Sequence, residues 1–578
     1  MVVMPEFDIL LKSGTVIDGL KSGRFVADLG IKDGRIASIA GGIPASSAAK
    51  VLDATGLIVA PGFIDLHTHY DSQVYWDPWC SISGWHGVTS VGIGNCGFGF
   101  APCRPENRDR AMLTMSRNEA VPLETMKAGM PWDWETYPEF LDSLDRTPKG
   151  VNLLSYQPLA PLMSYVMGGD SAKGRPATDS ERAEMCRLLE ESMHAGSCGW
   201  SAQLFGEQSI QRDYDGTPMI TDTMAEADLL AFAGVLRKVG RGFIQGIGAS
   251  HELFEKLSTV SGRPIIYNVI ALTTDQHGVA NESFRKTLEW IEDANMRGHR
   301  IFAQAVTTEI AFEFTLATWN LFDSSPVWRI VTLGGPDERL GRMKDPELRQ
   351  ALKDELDNSG ENGMLNFSSV IGRGIPALEI HNVKRVDLKR QYEGFTVGEI
   401  AARDRKHVID AFLDLAVDDN LETTFSTPPL PYEAEQMREM ANSSYAIPGI
   451  SDGGAHTKFM TFGAYPTEYL TKIARDDALV SLEHAHWSLS ALPAMASGFR
   501  DRGYIREGMA ADLVVYDLDR LAMGRQEKAW DYPADEWRQV RKAEGYRWII
   551  VNGAVTFEDG ACTGAIPGVL LRHGAAAS

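Results

Sequence analysis

The chain has 578 residues, 44% of them hydrophobic and 23% charged, the balance of an ordinary globular protein with room for one large domain plus additions. Lys and Arg number 56 against 78 Asp and Glu, and the formal net charge of −22 argues against nucleic acid or an anionic membrane as partner. The first ten residues lack a basic segment followed by an apolar core, and no later apolar run reaches membrane-spanning length. The six cysteines are scattered, with no paired spacing beyond Cys96 and Cys103, so a cytoplasmic protein with reduced thiols is expected.

Short alternating runs at residues 8–11, 15–18, 26–31 and 35–39, with turn residues between them, predict small all-β structure at the N-terminal end. Residues 511–516 and 548–553 have the same character, and Asn552-Gly553 is a hairpin-turn pair. Chain ends often lie close together, so residues 1–60 and 491–578 are predicted to build one small β-sandwich. Between them, residues 61–490 change to a rhythm of apolar strand, loop and amphipathic helix. Strands are predicted at residues 87–97, 150–157, 199–204, 242–248, 264–270, 299–306, 423–425 and 447–452. Thr223-Met224-Ala225-Glu226 reads as a capping box opening a helix with Leu229, Phe232, Ala233 and Leu236 on one stripe and Gly240 past its end. Residues 179–195 and 283–297 behave alike. With a strand starting at Phe63, the alternation has about eight or nine units, which predicts an α/β fold of the (β/α)8 TIM-like barrel type. The rhythm is lost from about residue 307 to 400, most clearly at residues 345–363, and this region is read as a helix-containing insertion or lid.

The central stretch is Pro61-Gly62-Phe63-Ile64-Asp65-Leu66-His67-Thr68-His69-Tyr70-Asp71. On a strand Asp65, His67, His69 and Asp71 share a face, and imidazoles at i and i+2 can converge on one divalent ion. A pair of core or surface histidines is the alternative. Carboxylates on both sides, in a stretch that reads as buried, favour the metal. Barrel active sites lie at the C-terminal strand ends, where His67, His69, Asn95-Cys96-Gly97 and Ser451-Asp452-Gly453-Gly454 all fall.

These motifs, together with Arg502-Gly503-Tyr504-Ile505-Arg506-Glu507-Gly508-Met509-Ala510-Ala511-Asp512-Leu513-Val514 and Val551-Asn552-Gly553, resemble the amidohydrolase superfamily. Gly94-Asn95-Cys96-Gly97 points to its D-aminoacylase (N-acyl-D-amino-acid deacylase) branch, and the resemblance runs from about residue 7 to about residue 572. It implies a barrel with a small sandwich from both chain ends and hydrolysis of an amide bond of a small molecule by a metal-activated water. It also implies His67, His69, Cys96 and Asp452 as zinc ligands, with Asp452 as the catalytic proton shuttle. Without it, Cys96 reads more simply as a small buried residue than as a ligand.

The sequence departs from the branch where histidines are expected at the fifth and sixth strand ends. Gln245 and Asn268 stand there, and amides are weak zinc ligands. His251 and His277 are nearby substitutes that read more simply as loop histidines. One ion held by His67, His69 and Asp452, with Cys96 at or near it, is therefore expected, with a binuclear site as the alternative. The cations that hold a substrate carboxylate in the branch fall at Ile270 and in His456-Thr457-Lys458. Gln245, Asn268, His456 and Lys458 are accordingly candidate substrate contacts, and a less charged, more apolar substrate is expected. Tyr75, Trp76, Trp79, Trp85, Met163 and Met167 would suit one, though packing is the simpler reading of most of them. Hydrolysis of another carbonyl bond (ester, lactone, cyclic ketone), or non-catalytic binding on a degenerate barrel, are the alternatives. A homo-oligomer is compatible with everything above.

Overall fold

Apolar runs without polar alternation become parallel strands buried on both faces. The computed structural model describes residues 5–209, 211–273, 281–309, 311–317, 322–323, 325–358, 374–429 and 431–574. Phe63–Asp65, Val88–Ile93 and Asn152–Ser155 form one parallel sheet. Gln157–Pro158, Gly199–Gln203, Phe243–Ile247, Ile265–Ile270, Ile301–Ala305 and Ala446–Pro448 form a second, also parallel throughout. Only Tyr156 separates the last strand of the first sheet from the first strand of the second. At the other side Thr68 bridges Gly453 in parallel, and His69 N donates to Gly453 O at 2.7 Å.

Helices alternate with these strands. Asp179–Ala195 keeps its predicted bounds because Thr178 and Glu181 cap each other and Gly196 ends it at φ 119°. Glu226–Val239 buries the predicted stripe and stops at Gly240, but its N-cap is Ala225. The expected capping box fails because Thr223 belongs to the preceding 3-10 turn, Ile220–Thr223, where its hydroxyl donates to Ile220 O.

Strands from both chain ends share one nine-stranded sheet. The predicted runs at 8–11 and 15–18 merge into the single strand Phe7–Val16, with a register shift between Leu11 and Gly14. Ile58–Pro61 pairs antiparallel with Leu513–Tyr516, joining the N-terminal strands to the C-terminal ones. Asn552-Gly553 turns Tyr546–Val551 into Ala554–Glu558, as predicted. Leu11, Leu29, Ile31, Val515, Trp548 and Ile550 pack together from both ends.

The irregular region contains helices around a core of its own, with Phe314, Trp328, Leu352, Ile400, Phe412 and Phe425 among its members. Pro346–Asn358 is helical where an irregular polar stretch was expected, and residues 359–363 of that stretch lie outside the described residues. The strand predicted at 423–425 is Thr424–Ser426, and it does not join the parallel ladders. It pairs antiparallel with Glu313–Phe314 and Glu379–Asn382 because the chain entering it comes from Val408–Asp418, a helix of this separate core.

A buried ion pair, Arg502–Asp512, lies in the segment leading into the end sheet, and its aspartate is hydrogen-bonded to the parallel strands through Asn152. Asp512 accepts from Arg502 at 2.6 Å, from Asn152 Nδ2 at 3.1 Å and from the backbone N–H of Asn552 at 2.7 Å. Burial pushes the Asp512 carboxyl up, and the Arg502 charge acts against that. Removing one partner strands the other, at about 3–5 kcal/mol. Arg502→Met is therefore expected to lower the melting temperature by several degrees, and adding Asp512→Asn should recover part of the loss. An unchanged melting temperature in Arg502→Met would show that the pair does not brace the two sheets.

Candidate metal centre

The strand at Phe63 ends at Asp65, shorter than the sequence predicts, yet His67 and His69 still converge. Thr68 between them is clamped: its N–H and its hydroxyl both donate to Gly92 O, at 3.0 and 2.8 Å. Asn95 Nδ2 donates to Thr68 O at 3.0 Å, tying the clamp to the turn that carries Cys96. The two imidazole centroids lie 5.4 Å apart.

Cys96 sits at φ 57° in the tight turn Asn95–Gly97. Its N–H donates to Gln245 Oε1 at 3.0 Å, and the next N–H, of Gly97, donates to Ser201 Oγ at 3.0 Å. Gly97 has φ 80°, and a Cβ on it would lie 2.8 Å from Ala202 Cα, so glycine alone suits the turn. The turn puts Cys96 Sγ 3.4 Å from His67 Nε2, and the donor atoms of His67, His69 and Cys96 all lie within 4.8 Å of one another. Asp452 arrives from the loop after Ala446–Pro448, its Oδ1 3.1 Å from His67 Nε2 and 3.6 Å from His69 Nε2. Ser451 fixes that loop by donating to His67 O at 3.0 Å and accepting from Gly453 N at 2.9 Å. Two imidazoles, a thiol and a carboxylate are the donor types that suit a zinc-like ion.

Charge is expensive here. Burial pushes the carboxyls of Asp65 and Asp71 up to about 7 and raises the Cys96 thiol. Burial, then the charges of Asp452 and Asp71, raises Glu119 well above the carboxylate range. Burial also acts to raise Asp452, but hydrogen bonds from His67 and His69 outweigh it and hold Asp452 below that range. Burial lowers His456 to about 4. A bound cation reverses this balance for every acidic group beside it.

The other predicted residues divide. Gln245 and Asn268 reach the centre, Asn268 through a contact of Nδ2 with His67 Nδ1. His456 reaches it indirectly, with Nε2 3.1 Å from Glu119 Oε2. Lys458 turns away to Glu536 at 2.6 Å. His251 stacks on Trp290 with centroids 3.9 Å apart, in the outer helices. His277 lies outside the described residues. Tyr75 stacks on Trp134, Trp76 packs edge-on to Tyr532, and Met163 and Met167 are core, so these are packing residues.

Three residues at the centre were not read from the sequence as site residues. Gln304 Oε1 lies 3.2 Å from His67 Nδ1, and Phe98 stacks on His69 with centroids 5.6 Å apart. Glu119 is 1% exposed, with Oε1 3.9 Å from His69 Nε2. Its signal was present: Met112, Met115 and Glu119 recur at helical spacing, a carboxylate on the apolar face of Arg108–Glu119.

The family model described as Amidohydrolase family matches residues 50–289 and 368–557. A D-aminoacylase of Alcaligenes xylosoxydans xylosoxydans is 26% identical over 575 residues, covering 99% of this chain and 98% of that one. An uncharacterized protein of Mycobacterium tuberculosis is 27% identical over 591 residues, covering 96% of this chain and 92% of its own. Among solved structures, an N-acyl-D-glutamate deacylase from Bordetella bronchiseptica, complexed with zinc and a phosphonate inhibitor, matches with a TM-score of 0.66 at 22% identity, over 98% of this chain and 100% of that one. A D-aminoacylase crystal structure gives the same TM-score, identity and coverage. The chain belongs to the amidohydrolase family.

Proposed function

We propose that this protein hydrolyses the amide bond of an N-acyl compound at a zinc centre held by His67, His69, Cys96 and Asp452. The observation that carries the reading is the convergence of those four donors from three separate strand ends. A zinc ion bound there would polarise the scissile carbonyl and lower the pKa of water. Asp452 has the role of proton carrier. Its side chain is 17% exposed, whereas the two imidazoles are 2% and 1% exposed, so it is the group that meets substrate and solvent. It takes the proton released when water attacks the carbonyl and returns it to the leaving nitrogen.

Gln245 and Asn268 orient ligands in this reading: one holds the Cys96 turn, and the other faces Nδ1 of His67, leaving Nε2 for the ion. Beyond Phe98 opens a cleft whose walls include Met115, Ala160, Met219 and Ile220, suited to an apolar acyl group, together with Arg104 and with Arg110, which Asp213 pairs at 2.7 Å. Lys458 is neutralised by Glu536 and Ile270 is buried, which favours substrates without a carboxylate. For the architecture, we read the two parallel sheets as one (β/α)8 barrel. Continuity through Tyr156 and the Thr68–Gly453 bridge support closure. Residues 1–60 and 491–578 are then the sandwich-like domain, and residues near 307–400 an insertion.

Elemental analysis should find about one zinc per chain, lost in His67→Ala and in Asp452→Ala. Gln245→His combined with Asn268→His should raise the count by one. Two ions in the parent would overturn the mononuclear reading, and none would overturn the metal centre. Against a panel of N-acyl compounds, neutral members should exceed N-acyl-D-amino acids in kcat/KM, and the reverse order would overturn the neutral substrate. Asp452→Asn should lower kcat by about 10²–10⁴-fold on whichever compound turns over.

A further inference from the structure

Glu119 is the last residue of the helix Arg108–Glu119, which ends where Ala120 turns to φ 53°. Two physical effects oppose a carboxylate at that place. The C-terminal end of a helix carries partial negative charge. The side chain is also buried, in the field of Asp452 and Asp71. Among the described residues no hydrogen bond reaches either of its oxygens. Two ring nitrogens lie beside it, His456 Nε2 at 3.1 Å from Oε2 and His69 Nε2 at 3.9 Å from Oε1, neither making a hydrogen bond to it. A buried carboxyl with both oxygens unsatisfied either stays protonated or needs a cation beside it.

The donor atoms follow one another at 3.1–3.9 Å, close to the spacing of ligands on one cation, with Glu119 at the edge of the group that His67, His69 and Cys96 form within 4.8 Å of one another. Ligands bound at about 2.0–2.3 Å in a tetrahedral site stand roughly 3.3–3.8 Å apart. Around this centre the separations are 3.4 Å from Cys96 Sγ to His67 Nε2, 3.1 Å from there to Asp452 Oδ1, 3.6 Å on to His69 Nε2 and 3.9 Å to Glu119 Oε1. Glu119 thus extends the same chain of donors, from a helix rather than from a strand end.

We propose that Glu119 is a direct ligand of the metal at this centre, supplying a donor that Gln245 and Asn268 do not. The inference rests on the metal-centre reading above. His456 Nε2 lies beside Oε2, and the backbone N–H of His456 donates to Glu119 O, so the loop that carries Asp452 also fixes Glu119.

The test is zinc affinity, measured by competition with a chromophoric chelator, on the full chain and on Glu119→Gln and Glu119→His, with melting temperatures of the chelated and zinc-loaded proteins. Glu119→Gln should weaken zinc binding by at least about tenfold and reduce the rise in melting temperature that zinc produces. The chelated variant should melt close to the chelated parent, because glutamine is a neutral isostere at a place where burial opposes charge. Glu119→His restores a donor and should recover part of the affinity. Unchanged affinity in Glu119→Gln, or an unchanged rise in melting temperature on adding zinc, would overturn the assignment while leaving the metal centre standing. A parent that binds no zinc would instead overturn the centre itself.

Discussion

Thr68 is the residue on which the geometry of the centre depends. Its backbone and hydroxyl are held by Gly92 on one side, and the following N–H is held by Gly453 on the other. With both edges of this short segment paired, the residues flanking Thr68 have one direction left for their side chains, and His67 and His69 take it together. The same pairing fixes Asp452, which precedes Gly453, and Asn95, which precedes Cys96. Donors more than three hundred residues apart in the chain are thereby placed by backbone hydrogen bonds, which tolerate little displacement.

What this arrangement costs explains its surroundings. Asp65, Asp71 and Glu119 are each about 1% exposed, and Asp452 lies among them. Desolvation alone would drive these groups neutral, as their raised pKa values indicate. Only Asp452 is held ionised by its neighbours, through two imidazoles. The polypeptide brings no lysine or arginine to offset the rest by any of the described contacts at these carboxylates. A dication does so at one stroke, and the buried acids are then an asset that retains it.

The sequence made some of this legible and hid the rest for identifiable reasons. His67 and His69 could be read because i and i+2 spacing survives even where the regular strand stops early. The hairpin at Asn552-Gly553 and the helix at Asp179–Ala195 could be read because their determinants are local. Thr223 misled because a capping box needs the intervening residues to be helical, whereas Thr223 closes a 3-10 turn and Met224 and Ala225 after it are extended. Residues 423–425 misled because a short apolar run does not say which sheet it joins. Glu119 was hidden because its partners lie 50 residues before it, at His69, and 337 after it, at His456. Sequence periodicity sees only that an acid stands on an apolar face.

The electrostatics also bear on the choice of substrate. Gln245 and Asn268 bring neutral amides to two strand ends beside the centre, so on the proposed reading the charge of the centre is set by its other ligands. A donor recovered as Glu119 does change the charge. With Cys96, Asp452 and Glu119 all anionic, the ligands outnumber the two positive charges of a dication and the centre is net negative. A negative centre repels a carboxylate approaching it, and Lys458, already paired with Glu536, offers that carboxylate little in return. On the proposed reading, the same ligand set that would retain the metal would disfavour charged N-acyl amino acids near the ion and leave recognition of the acyl group to the cleft beyond Phe98, where Arg110 is already paired with Asp213.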